Sequence, residues 1–216
     1  IYRIQEEGKE SSRILTTNNK IKILLNNLYV EKEYVIKEIK APSDYVLNEE
    51  EIRIKATVKE GNLVVEKISG ETKKDITVEN NQTVIIDLED EPKYTLKLVK
   101  KNTETSEPIT GIRFKITGKG FNINGRKVTT NRVGEITLEG LYPEEEYVLT
   151  EEYAEGYKYS EEEIKFKAVW NDNELAVEIL EGSFANEPSI DNYLDNPPVM
   201  LAELKNEKLK EYSLKI

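Results

Sequence analysis

The chain of 216 residues contains neither cysteine nor histidine. Without thiols it can form no disulfide and perform no thiol catalysis. Without imidazole it loses His-based triads, His-assisted acid–base chemistry and the usual zinc ligand sets. No apolar run is long enough to span a bilayer, so no membrane insertion is expected within this segment. The opening Ile1-Tyr2-Arg3-Ile4 is not a signal peptide. The chain starts without Met and reads as a fragment, which leaves any export signal outside it. Basic residues are in deficit, 31 Lys and Arg against 42 Asp and Glu, for a net charge of −11. That charge argues against nucleic acid or anionic lipid as a partner and serves solubility. The acidic runs lack EF-hand spacing and read as solvated strand ends, so no metal or cofactor is expected.

What the chain does have is a segment that occurs twice. Leu28-Tyr29-Val30-Glu31-Lys32-Glu33-Tyr34-Val35-Ile36-Lys37-Glu38 is matched by Leu141-Tyr142-Pro143-Glu144-Glu145-Glu146-Tyr147-Val148-Leu149-Thr150-Glu151. Further on, Glu51-Ile52-Arg53-Ile54-Lys55 is matched by Glu163-Ile164-Lys165-Phe166-Lys167. An offset of 113 residues, falling to 112 after one deletion, marks a duplicated domain and not a short solenoid unit.

Alternation of apolar and polar residues dominates both copies. Ile52, Ile54 and Ala56 alternate with Arg53, Lys55 and Thr57, and Leu96 and Leu98 with Lys97 and Val99. This is the pattern of strands with one buried face. Turn clusters such as Glu60-Gly61-Asn62 and Asn171-Asp172-Asn173 separate them. The expected fold is all-β: two tandem antiparallel, Ig-like β-sandwiches. The first domain covers 1–92 and lacks its first strand, because Ile1 to Ile4 align with Phe114 to Ile116. The second covers 93–188, and 189–216 forms a linker or tail. In that tail, 198–209 reads as a short amphipathic helix, and Glu211-Tyr212-Ser213-Leu214-Lys215-Ile216 resembles Lys93-Tyr94-Thr95-Leu96-Lys97-Leu98, the start of a further repeat. A tail strand of this kind could also fill the gap in the first domain by strand addition.

Three polar residues of the second domain fall on core-facing positions. Lys100 shares the phase of Leu96 and Leu98, Glu151 that of Tyr147 and Leu149, and Asn186 that of Phe184. A buried lysine and a buried carboxyl are costly unless paired or neutralised. The plainer account of the trio is a buried ion pair beside a hydrogen-bonded asparagine.

Lys100-Lys101-Asn102 followed by Ile109-Thr110-Gly111-Ile112-Arg113-Phe114 resembles the opening of collagen-adhesin B-type (Cna B-type) domains. Tyr34-x-x-x-Glu38-x-x-Ala41-Pro42-x-Asp44-Tyr45 resembles their glutamate box, and Asn186-Glu187-Pro188 their closing Asn-x-Pro. The second copy departs from the box, reading Ala154-Glu155-Gly156-Tyr157 without the proline. The resemblance implies stalk modules of Gram-positive surface adhesins and pilins, sited at the cell wall. It implies a self-formed isopeptide bond between Lys100 and Asn186, with Glu151 as catalyst. Desolvation favours a neutral amine and a neutral carboxyl, the states such an attack needs. In the first domain Glu38 is the equivalent glutamate and Asp90 the acceptor, since Val84, Ile86, Leu88 and Asp90 share a face. That domain has no lysine donor of its own.

The function expected is structural and non-enzymatic: a stalk module contacting neighbouring repeats of its own protein. The alternative is a module that binds a host ligand, a matrix protein or a glycan. Third is an accessory module of a secreted hydrolase.

Overall fold

The computed structural model describes all residues except 18–21, 73, 89, 159, 173, 192–196 and 211–216. The described residues form strands and connecting turns, with no helix among them. The chain divides into two compact units, Ile1–Glu91 and Pro92–Ile216.

The first unit contains β1 (Tyr2–Glu6), β2 (Ser12–Leu15), β3 (Lys22–Leu25), β4 (Lys32–Glu38), β5 (Glu51–Lys59), β6 (Asn62–Ser69), β7 (Thr77–Glu79) and β8 (Thr83–Asp87). One sheet has the order β2-β1-β4-β5-β6 and the other β3-β8-β7. Its core holds Tyr2, Ile4, Ile23, Leu25, Tyr34, Ile36, Ile52, Ile54, Val84 and Ile86.

The second unit contains β9 (Tyr94–Asn102), β10 (Arg113–Gly118), β11 (Arg126–Thr129), β12 (Glu135–Leu141), β13 (Tyr147–Tyr153), β14 (Tyr157–Lys158), β15 (Ile164–Asn171), β16 (Glu174–Glu181), β17 (Ser189–Asp191) and β18 (Val199–Lys208). Its sheets are β11-β10-β13-β15-β16 and β12-β9-β18-β14, with β17 paired to β18. The order of the five-stranded sheet repeats that of the first unit, as the duplication requires.

Local sequence explains these elements. Side chains on successive strand residues point to opposite faces, so β9 buries Tyr94, Leu96, Leu98, Lys100 and Asn102 while the residues between them are only partly covered or exposed. Lys59 pairs with Asn62 across Glu60 and Gly61. Both loop residues have positive φ, at 52° and 81°, as a two-residue hairpin compatible with right-handed strand twist demands. The second tyrosine of each repeated segment ties down a loop. The Tyr34 hydroxyl accepts the Tyr29 N–H at 2.7 Å, and the Tyr147 hydroxyl accepts the Tyr142 N–H at 2.7 Å.

Two expectations about the C-terminal part change. Residues 198–209 are not a helix; they are occupied by β18, with Met200, Ala202 and Asn206 buried on one alternating face. The reason is tertiary: β18 lies parallel to β9, with Met200 opposite Leu96 and Leu204 opposite Lys100. The second sandwich therefore does not end at Pro188, since β17 and β18 belong to its sheet. The segment 211–216, read as the start of a further repeat, lies outside the described residues.

One contrast between the units bears on function. In the second unit β9 is inserted between β12, to which it runs antiparallel, and β18, to which it runs parallel. In the first unit the counterparts β3 and β8 pair directly and antiparallel, from Lys22 opposite Asp87 to Leu25 opposite Val84. Among the described residues, no strand of the first unit takes the place of β9.

Candidate functional site

The two sheets of the second unit bring three buried polar side chains together. β9 supplies Lys100, which is 1% exposed; β13 supplies Glu151, at 7%; and β18 supplies Asn206, at 3%. Lys100 Nζ donates to Glu151 Oε2 at 2.9 Å. Asn206 Nδ2 donates to Glu151 Oε1 at 2.5 Å. One carboxyl thus holds the amine on one oxygen and the carboxamide on the other. The amine also lies 5.5 Å from the centre of the Phe114 ring, so one side of it is dry and apolar.

Burial sets the electrostatics. Desolvation pushes the Lys100 amine below its ordinary lysine range, and Glu151 opposes that shift only in part. Lys100 therefore yields its proton more readily than a surface lysine does. A cavity of about 270 Å³ adjoins Lys100 and Glu151 and is walled on one side by Ser183, Phe184 and Ala185.

Of the three residues singled out in the sequence, Lys100 and Glu151 are in contact and Asn186 is not beside them. Asn186 is exposed, in a bend outside any strand. It does not join the pair. The chain at this point is held by its backbone, the Ala185 N–H donating to the Glu203 carbonyl at 2.7 Å. Its neighbours wall the cavity while its own side chain faces solvent. The asparagine in contact with Glu151 is Asn206, which the sequence did not single out. A signal for it existed: Asp87-Leu88-Glu89-Asp90-Glu91 in the first copy is echoed by Glu203-Leu204-Lys205-Asn206-Glu207. In that alignment Asn206 is the counterpart of Asp90. Asn102, also buried, is engaged otherwise; its side-chain Oδ1 accepts the N–H groups of Glu104 and Thr105 and shapes the turn after β9.

The first unit holds a counterpart glutamate, Glu38, on β4. Glu38 is 3% exposed. Its Oε2 accepts the Asn48 N–H at 2.9 Å, while its Oε1 has no hydrogen-bond partner among the described residues. Tyr2 lies opposite Glu38, as Phe114 lies opposite Glu151. The Tyr2 hydroxyl donates to Asp90 Oδ1 at 3.2 Å. Desolvation raises the Glu38 pKa, against the lowering effect of the Asn48 hydrogen bond. It also drives the Tyr2 hydroxyl well above the usual phenol range, with Asp90 and Glu38 adding to the shift.

Among the described residues no group of acidic side chains is arranged to hold a metal ion, and no helix is long and apolar enough to cross a membrane.

Comparison with known proteins adds a family. The model of the SpaA prealbumin-like fold domain matches residues 1–72 and 94–182. No curated protein matches the chain. Among solved structures, the C-terminal fragment of the pilus adhesin SpaC from Lactobacillus rhamnosus GG is similar at 16% identity. The match covers 99% of this chain and 90% of that one, with a TM-score of 0.47. The same adhesin in its open conformation matches at 17% identity and a TM-score of 0.48, over 99% of this chain but 29% of that one. The pilus 2b backbone protein of group B streptococcus matches at 17% identity, over 89% of this chain and 97% of that one, with a TM-score of 0.43.

Proposed function

We propose, for a chain that belongs to the SpaA prealbumin-like fold family, a structural role as a self-crosslinking stalk module of a Gram-positive surface adhesin or pilin. The observation that carries this reading is the seating of Lys100 and Asn206 on the two oxygens of Glu151.

The chemistry follows from that seating. Proton transfer within the buried pair converts ammonium and carboxylate into amine and carboxylic acid. Desolvation of the Lys100 amine favours its neutral form. The free amine attacks Cγ of Asn206, held beside it at high effective concentration. A bond forms between Lys100 Nζ and Asn206 Cγ, and the bond from Cγ to Nδ2 breaks. Glu151 takes a proton from the attacking nitrogen at Oε2 and gives one to the departing nitrogen at Oε1, so ammonia leaves neutral. The adjoining cavity offers it a way out. The reaction occurs once per chain, so the module matures itself and is not an enzyme.

The topology gives the bond a mechanical purpose. β9 opens the unit, β18 closes it, and the two run parallel side by side. Force entering along β9 would cross at Lys100 and leave through Asn206. The strands between would carry none of it. An amide resists reduction, which suits a chain without cysteine, and a locked fold resists proteolysis by opening less often. Neighbouring repeats of the same protein are the partners this role requires, at the cell surface.

The test is the intact mass of the denatured chain. The expected value is one ammonia below that of the sequence. Glu151→Gln, corrected for its own mass, should restore the full value. An unmodified parent chain would leave the trio as an ordinary buried polar cluster and remove the covalent part of the proposal.

A further inference from the structure

We propose that Gly134 is a positioning residue for the crosslink. It fixes the register of β9 so that Lys100, and not its neighbour Lys101, presents its amine to Glu151 and Asn206. This selection presupposes the amide chemistry proposed above.

β9 offers two adjacent lysines. Lys100 is buried, whereas Lys101 lies on the opposite face and pairs with Glu203. Successive side chains of a strand alternate between faces, so a slip of one residue would bring Lys101 inward and turn Lys100 out. The chemistry needs an amine at one point in space. The register decides which lysine supplies it.

The hold on that register acts on the peptide groups of Lys100, because β9 changes partner there. Up to Val99 it pairs with β12, where Glu135 stands opposite Val99. One residue past Lys100 the chain has folded back, and Lys101 is bridged to Pro108. Lys100 joins both partners. Its N–H donates to the Gly134 carbonyl at 2.8 Å, and its own carbonyl accepts the Ile109 N–H at 2.8 Å. Two segments can meet on one residue only where no side chain stands between them. Gly134 occupies that meeting point with a φ of +72°. A Cβ there would lie 2.7 Å from the Lys100 carbonyl oxygen, 2.8 Å from Pro108 Cβ and 3.0 Å from the Ile109 nitrogen. Two of these three atoms are backbone and cannot swing aside. A methyl at this position therefore pushes on the Lys100 peptide itself, and it also strains a backbone that favours glycine.

The turns on either side are fixed in their own right. The Asn102 N–H donates to the Glu107 carbonyl at 2.8 Å, and the Thr103 N–H to the Asn206 carbonyl at 3.0 Å. The second of these bonds ties the end of β9 to the residue that accepts the amine. On the other side, Asn131 Oδ1 accepts the N–H groups of Val133 and Glu135, each at 3.0 Å.

The experiment follows the full chain during cell-free synthesis. Samples are quenched in denaturant, intact mass tracks the ammonia loss, and fragmentation maps the link. Gly134→Ala should slow the loss about a hundredfold, the scale of a misplacement of about 1 Å, and some of its links should fall on Lys101. Asn102→Ala loosens the same turn without a clash at Gly134 and should also send links to Lys101. If Gly134→Ala fails to fold, the Asn102→Ala map decides. Gly125→Ala controls for lost stability alone. Gly125 also has a positive φ, +74°, and a Cβ there would strike the Ile116 carbonyl oxygen. This control should keep the parent's rate and link only Lys100. The inference is overturned by a parent-like rate in Gly134→Ala, by links confined to Lys100 in both turn variants, or by equal slowing in Gly125→Ala. A parent chain that never loses ammonia overturns the crosslink itself.

Discussion

Lys100 and Asn206 donate to opposite oxygens of one carboxyl group, although 105 residues separate them in the chain. Nothing local could have joined them. The parallel pairing of β9 with β18 puts Leu204 opposite Lys100, and that leaves Asn206 one pleat further along, facing the same interior.

The first prediction separates the two asparagines. Asn186→Ala should leave the ammonia loss intact, because that side chain faces solvent. Asn206→Ala should abolish it. Asn206→Asp should still crosslink, now with loss of water. Intact mass distinguishes all three, and retention of the ammonia loss in Asn206→Ala would refute the assignment.

A second prediction concerns stability. A crosslink closing a loop on the order of 100 residues contributes about 4–5 kcal/mol in the chain-entropy description. Asn206→Ala removes the link but keeps the Lys100–Glu151 pair, so denaturant unfolding of the second unit should shift by roughly that amount. Lys100→Met should cost about 3–5 kcal/mol more, because it leaves Glu151 buried without its partner. Equal losses for the two variants would contradict the pairing.

The first unit should respond to pH through Glu38. Its folded-state pKa is raised by burial, so the folded unit binds more protons than the unfolded chain between the two values. Stability is then highest at or below the unfolded value of about 4.3 and falls as pH climbs through the folded one. Glu38→Gln should flatten this slope and raise the unfolding midpoint of the first unit at neutral pH. A variant with the parent's slope would point to another titrating group.

Tyr147 offers a test of the architecture alone. Its buried hydroxyl accepts the Tyr142 N–H and donates to the Lys119 carbonyl at 3.1 Å. Tyr147→Phe removes the acceptor of the Tyr142 N–H, at a cost of about 1–3 kcal/mol, while the ammonia loss should persist. Failure of the crosslink in this variant would mean that the corner positions Glu151 as well as the loop.

The sequence by itself determined the duplication, the β class, and the inward phase of Lys100, Glu151, Glu38 and Asp90. Each follows from the alternation of side chains along a single strand, a local property that any register of the sheet preserves. It could not determine which asparagine stands beside Lys100 and Glu151. Asn186 and Asn206 both precede a glutamate, and the run from Val199 to Leu209 is short and apolar enough to read as helix or strand. Only the tertiary structure decided that this run lies beside β9, because strand neighbours are chosen by the packing of a whole sheet across distant segments. The same packing pairs β3 with β8 in the first unit and leaves Glu38 buried, with one oxygen unpartnered among the described residues.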